Sequence, residues 1–145
     1  MRIEHTLEIG APVRVVWELT VDVDRWAAIN PNVSRATLLE GDRLGPGARV
    51  LIKQRAMAPR VWAVEEFREA TRFTWSTRFG WLTMTATHDL AAVEAGTRNT
   101  LGVELTGVGA GLLGRLMRRP VRSALAAENE GFRRAAESPS RGPLG

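Results

Sequence analysis

The sequence has no cysteine and no tyrosine, two histidines, and a single lysine at position 53. Without cysteine, disulfides, thiolate metal sites and thiol nucleophiles are excluded. His5 and His88 are too few for a histidine-rich metal centre, and no metal or other cofactor is expected. No stretch approaches the roughly 20 continuous apolar residues of a membrane span. The opening residues Met1 to Gly10 are charged and alternating, unlike a secretory leader, so a cytoplasmic protein without a membrane span is expected. Neither a phosphate-binding loop, a dinucleotide fingerprint nor a G-x-S-x-G nucleophile motif occurs.

What is present is ordinary for a soluble globule. The chain has 145 residues, 44% of them hydrophobic and 25% charged. That length predicts one domain with a single core and room for a cavity. The formal charge is +4 and reflects arginine outnumbering acids. The densest basic cluster is Arg115, Arg118, Arg119 and Arg122. It has no interleaved aromatics and no accompanying nucleic-acid motif, so it reads as a solvated helix face and no nucleic-acid partner is expected. The pattern does not choose between monomer and homodimer.

Periodicity orders the chain. Ile3, His5, Leu7 and Ile9 alternate with Arg2, Glu4, Thr6 and Glu8, which predicts a half-buried strand. Pro12 suits a helix start, and Val13, Val16, Trp17 and Thr20 follow at helical spacing. Asp22 and Asp24 are placed to cap a second short helix carrying Trp26, Ala27 and Ile29, which Asn30-Pro31-Asn32 ends. Strands are expected over 33–40, 48–54, 60–68, 72–78, 81–90 and 97–106, joined by short turns. That spacing predicts an antiparallel meander.

A Gly-rich joint, Gly107 to Gly111, leads into a long helix over about 112–137. Leu113, Leu116, Met117, Val121, Ala124, Gly131, Phe132 and Ala135 share one side, with Arg115, Arg118, Arg119, Arg122 and Arg133 opposite. Pro120 is expected to kink or divide this helix. Residues 138–145 carry no apolar run and are expected to be a disordered tail. The long helix is the only element able to cover the apolar face of a curved sheet of about seven strands. The fold class predicted is therefore α+β, with the helix packed across the concave face.

Several segments resemble one family in order and spacing. Leu7-Glu8-Ile9-Gly10-Ala11-Pro12 running into Val16-Trp17 is similar to the opening strand and helix of the polyketide cyclase/dehydrase-like, START-like superfamily of helix-grip proteins. Asp22-Val23-Asp24-Arg25-Trp26, then Asn30-Pro31-Asn32-Val33, resemble its second helix and exit. Glu40-Gly41, Pro46-Gly47, Val64, Glu66, Phe73, Trp75, His88, Leu90 and Gly96-Thr97-Arg98 continue the likeness across residues 2 to 137. The resemblance implies one domain over 1–137 with a cavity that takes a lipid, sterol, polyketide or similar apolar molecule. It does not imply one chemistry, since some relatives cyclise or dehydrate polyketides and others only bind. Such cyclases often carry Tyr and Arg in the cavity, and this chain has no Tyr.

Against that background, Trp26, Trp62, Trp75, Leu82, Met84, His88, Met117, Val121 and Phe132 are expected to line the cavity. Trp81 is a further aromatic able to line or gate it, and Trp17 is assigned to core. His5, His88 and Glu128 are the candidates for acid–base work. Both histidines fall on apolar strand faces, and Glu128 falls in the apolar sector of the long helix, where a carboxylate is costly unless paired or neutral. Three functions remain open: binding of a small hydrophobic ligand, a cyclase or dehydratase using these three residues, and a regulatory domain working through the arginine-rich helix face.

Overall fold

A computed structural model describes residues 1–55 and 57–138. Its elements are β1 (Arg2–Ile9), α1 (Val13–Val21), a 3-10 turn (Val23–Arg25), α2 (Trp26–Ile29), β2 (Val33–Leu38), β3 (Arg49–Gln54), β4 (Arg60–Arg68), β5 (Arg72–Phe79), β6 (Leu82–Val93), β7 (Gly96–Thr106) and α3 (Ala110–Glu137). The seven strands form one sheet in the order β1-β7-β6-β5-β4-β3-β2, every neighbouring pair antiparallel. The meander therefore runs from β2 to β7, and β1 closes beside β7 at the far edge. The two short helices carry the chain between the edges. Register shifts at Val33/Arg35 and Val64/Glu66 are bulges, which bend a strand and increase its twist.

The main core gathers where α1, α2 and the end of α3 meet the sheet, around Trp17, Phe73 and Phe132, all 2% exposed or less. A smaller cluster of Ile3, Leu101, Val103 and Leu125 lies beneath the middle of α3. The far end of α3 is held closely. The Gly10 N–H donates to the Glu137 carboxylate at 2.7 Å. A Cβ added at Gly131 would stand 2.0 Å from the Ile29 carbonyl oxygen, so only glycine lets the two backbones approach this closely.

Four details differ from the sequence reading. Asp22 precedes the 3-10 turn and makes no capping hydrogen bond; nor does any side chain cap α2. Asp24 sits inside the 3-10 turn. The turn continues directly into α2, and the Trp26 and Asn30 N–H groups bond backbone carbonyls. Pro120 does not divide α3, which is continuous over 28 residues; an isolated proline costs one ladder bond, and the rest of a long helix carries it. Leu116, expected on the covered side, is 68% exposed, because it lies at the edge of the apolar stripe where no strand reaches it. Trp81 lies in the turn before β6 and is 73% exposed, with its indole N–H donating to the Val108 carbonyl at 3.2 Å. Of the expected tail, residues 139–145 lie outside the described residues.

Candidate functional site

Between the N-terminal half of α3 and the concave face of the sheet lies a cavity of about 490 Å3. Period-two alternation on β6 turns Leu82, Met84, Ala86 and His88 toward it, while β7 adds Leu101, Val103 and Leu105. Trp62 on β4, Trp75 on β5 and Trp26 on α2 form its aromatic end. From above, Leu113, Met117, Val121, Ala124 and Glu128 enter at helical spacing.

Of the expected lining residues, all but Phe132 border this space. Phe132 is 2% exposed and stands behind His88, with ring centres 6.1 Å apart and planes at 86°. One turn beyond Glu128 on α3, it has passed the cavity into the main core. His5 does not border the cavity either. Asn129, fully buried, places Nδ2 3.0 Å from His5 Nδ1 and 3.2 Å from the His5 carbonyl oxygen, which share its two N–H groups with a third acceptor. The same amide reaches the Asn99 carbonyl at 3.2 Å, and its oxygen accepts from Asn99 Nδ2 at 2.9 Å. These bonds fasten α3 to β1 and β7 and engage His5 in the scaffold.

His88 and Glu128 do meet. His88 Nε2 lies 3.6 Å from Glu128 Oε2, beyond ordinary hydrogen-bond length. The imidazole stacks on Phe73 at 4.5 Å and lies parallel to Trp26 at 6.5 Å, with Trp75 edge-on. That apolar enclosure disfavours charge on both groups. Desolvation pushes the His88 pKa from 6.5 down to about 3 and the Glu128 pKa from 4.5 up to about 7. Near neutrality the imidazole is uncharged and the carboxyl is poised between its two forms.

Two asparagines of the lining are committed to structure. Asn30 Oδ1 accepts from the Asn32 N–H at 2.9 Å, and Asn32 Nδ2 donates to the Ala124 carbonyl at 3.1 Å. His88 Nδ1, by contrast, is buried without a partner among the described residues. The sequence reading singled out neither Asn129 nor Asn99. Their signal was two amides at otherwise apolar positions of facing elements. Among the described residues, no three His, Asp or Glu side chains are grouped to hold a metal ion. None of their helices is long and apolar enough to cross a membrane.

A curved antiparallel sheet around a long C-terminal helix, with a cavity between them, is the helix-grip architecture. Solved structures share it at low sequence identity. Hypothetical protein jhp0584 from Helicobacter pylori superposes with a TM-score of 0.81 at 15% identity, covering 94% of this chain and 88% of that one. TTHA0849 from Thermus thermophilus gives 0.75 at 20%, covering 95% of this chain and 100% of that one. The di-domain ARO/CYC StfQ from the steffimycin biosynthetic pathway gives 0.75 at 12%, covering 94% of this chain and 50% of StfQ. No curated protein sequence matches the chain. Residues 1–137 match the family described as polyketide cyclase / dehydrase and lipid transport, and the chain belongs to that family.

Proposed function

We propose that residues 1–137 form one domain that binds a small, mostly apolar molecule carrying a polar group, held in the cavity beneath α3. The observation that carries this reading is the pairing of an apolar space of about 490 Å3 with two polar side chains at its edge, the buried His88 and the partly exposed Glu128, that make no side-chain hydrogen bond to the described residues. Small-molecule sites have this composition: apolar walls supply affinity, and a few convergent polar groups fix orientation. Trp26, Trp62 and Trp75 offer flat faces to an aromatic or polycyclic ligand. Leu82, Met84, Met117 and Val121 offer the conformable wall that a lipid, sterol or polyketide chain would contact.

A panel of fatty acids, sterols, flavonoids and polyketide mimics tests the reading through Trp emission and melting temperature. A ligand at 100 times its dissociation constant stabilises by about 2.7 kcal/mol. A response from one chemical class supports binding, and silence across the panel counts against an open cavity.

A second reading is favoured by one observation: Glu128, held near neutrality, stands beside an uncharged imidazole. In a cyclase or dehydratase the carboxylic acid would protonate a carbonyl or departing hydroxyl oxygen, and the imidazole would take up a proton. General acid–base work contributes about 10²–10⁴-fold. Glu128→Gln and His88→Gln therefore separate the two readings. In a binder they change affinity by roughly the 0.5–1.5 kcal/mol of one net hydrogen bond. In an enzyme they abolish turnover while binding persists.

A further inference from the structure

The surface beside the cavity mouth combines two features that protein surfaces usually keep apart. Trp81, Val108, Leu112 and Leu116 are between 68% and 81% exposed. They run from the β5–β6 turn across the loop before α3 and along its first turns. The indole of Trp81 is tied to the Val108 carbonyl, so the ring is held outward by structure. Gly107 (φ +117°) makes this contact possible, since a Cβ there would meet the Trp81 carbonyl oxygen at 2.4 Å. Contiguous exposed apolar surface of this kind marks an interaction site.

Beside the apolar strip stands a basic one. Arg115 and Arg119 lie one turn apart on α3, next to Leu112 and Leu116, and Arg118 and Arg122 extend the row. All four are exposed, and none of their side chains forms an ion pair or hydrogen bond with another described residue. From Gly107 to Ala127 the sequence contains these four arginines and no acid. The first turn of α3 carries no acidic residue, although a helix N-terminus favours negative charge. An anionic surface outside the protein would satisfy both the guanidinium groups and the helix dipole.

We propose that this face docks the domain onto a lipid bilayer containing anionic phospholipid. Exposed Trp and Leu with flanking Arg is the composition that settles at a membrane interface, the rings and aliphatic chains entering the headgroup boundary and the cations meeting phosphate. A second copy of the chain is a poorer occupant, because a self-complementary contact would bring two arginine rows together. Leu113 and Met117 border the cavity and are also partly exposed, so the apolar strip continues from the docking face into the cavity mouth. Docking does not depend on what the cavity holds, and its test reads vesicle binding alone.

The test is co-sedimentation of the whole chain with vesicles of phosphatidylcholine alone or mixed with phosphatidylglycerol. Trp81 is the one exposed tryptophan; the other four are at most 5% exposed, so interfacial docking blue-shifts a signal that Trp81→Phe removes. Binding should require phosphatidylglycerol and weaken as salt rises. Each arginine replaced by Gln should cost about fivefold, and Leu112→Ser with Leu116→Ser should cost more than about tenfold. These side chains are solvent-facing, so the variants should melt with the parent. Equal binding to both vesicles, no binding to either, an unshifted Trp81, full binding by the Leu pair variant, or retention on RNA or an acidic protein in place of vesicles would each overturn the proposal.

Discussion

His88 Nε2 and Glu128 Oε2 stand 3.6 Å apart, and the same desolvation moves their proton affinities in opposite directions. The folded pKa of Glu128 is raised from 4.5 to about 7, so the stability it contributes is full below 4.5 and lost as pH rises through about 7. The folded pKa of His88 is lowered from 6.5 to about 3, so its contribution is full above 6.5 and lost as pH falls through about 3. Between 4.5 and 6.5 the two slopes cancel, one proton against one proton.

Glu128→Gln removes only the first of these. Relative to the parent, its unfolding free energy should gain a slope of about +1.4 kcal/mol per pH unit between about pH 4.5 and 6.5. His88→Phe should gain the opposite slope over the same range. Urea unfolding at several pH values reads both, and parallel curves for parent and variants would refute the desolvated pair.

Asn129→Ala should be among the most damaging polar substitutions. It strips Asn99 Nδ2, the Asn99 carbonyl and both His5 acceptors of their partner in a buried site. Orphaned buried groups cost about 1–3 kcal/mol each in the worst case, so a fall in melting temperature of about 10 °C is expected. His5→Gln should cost about 1 kcal/mol and leave ligand affinity unchanged, since His5 lies outside the cavity. Loss of affinity with intact stability would return His5 to the site.

Gly131→Ala places a methyl against the Ile29 carbonyl. The helix must retreat from α2, and overpacking of this kind costs about 1–3 kcal/mol. Gly111→Ala, on the same helix with nothing within 4 Å of its Cβ, should be neutral or stabilising. Similar melting temperatures for the two would contradict the close approach.

Filling the cavity should separate binding from folding. Ala86 borders the space from β6, and Ala86→Phe has room to enter it. The added ring gains contacts that the empty volume lacks, so the melting temperature should hold or rise while ligand affinity falls by about tenfold or more. Undiminished affinity would place the ligand elsewhere.

The sheet was legible because its signals are local. Leu82, Met84, Ala86 and His88 alternate with threonines on β6, and one stripe of α3 carries Leu113, Met117 and Val121. Periodicity states which face is covered, and the short turns leave few topologies. The pairing of His88 with Glu128 was partly legible, since each breaks an apolar pattern on an element that must face the other. What stayed hidden depends on where covering ends. Leu116 and Phe132 belong to the same stripe, yet one reaches solvent and the other the core, because Leu116 sits at the outer edge of that stripe while Phe132 lies where α3 meets α1 and α2. His5 shares the inward face of β1 with Ile3 and Ile9, and only the third dimension shows that Asn129 closes on it.

The four methionine methyls test the central claim most directly. Met57, Met84 and Met117 border the cavity, and Met1 packs beside Gly114 away from its lining. Methyl-labelled protein titrated with the fatty acids, sterols, flavonoids and polyketide mimics should show Met84 and Met117 shifting together with one saturable affinity while Met1 stays still. A ligand that binds yet moves only Met1, or no ligand that moves Met84 and Met117, would contradict a binding cavity beneath α3.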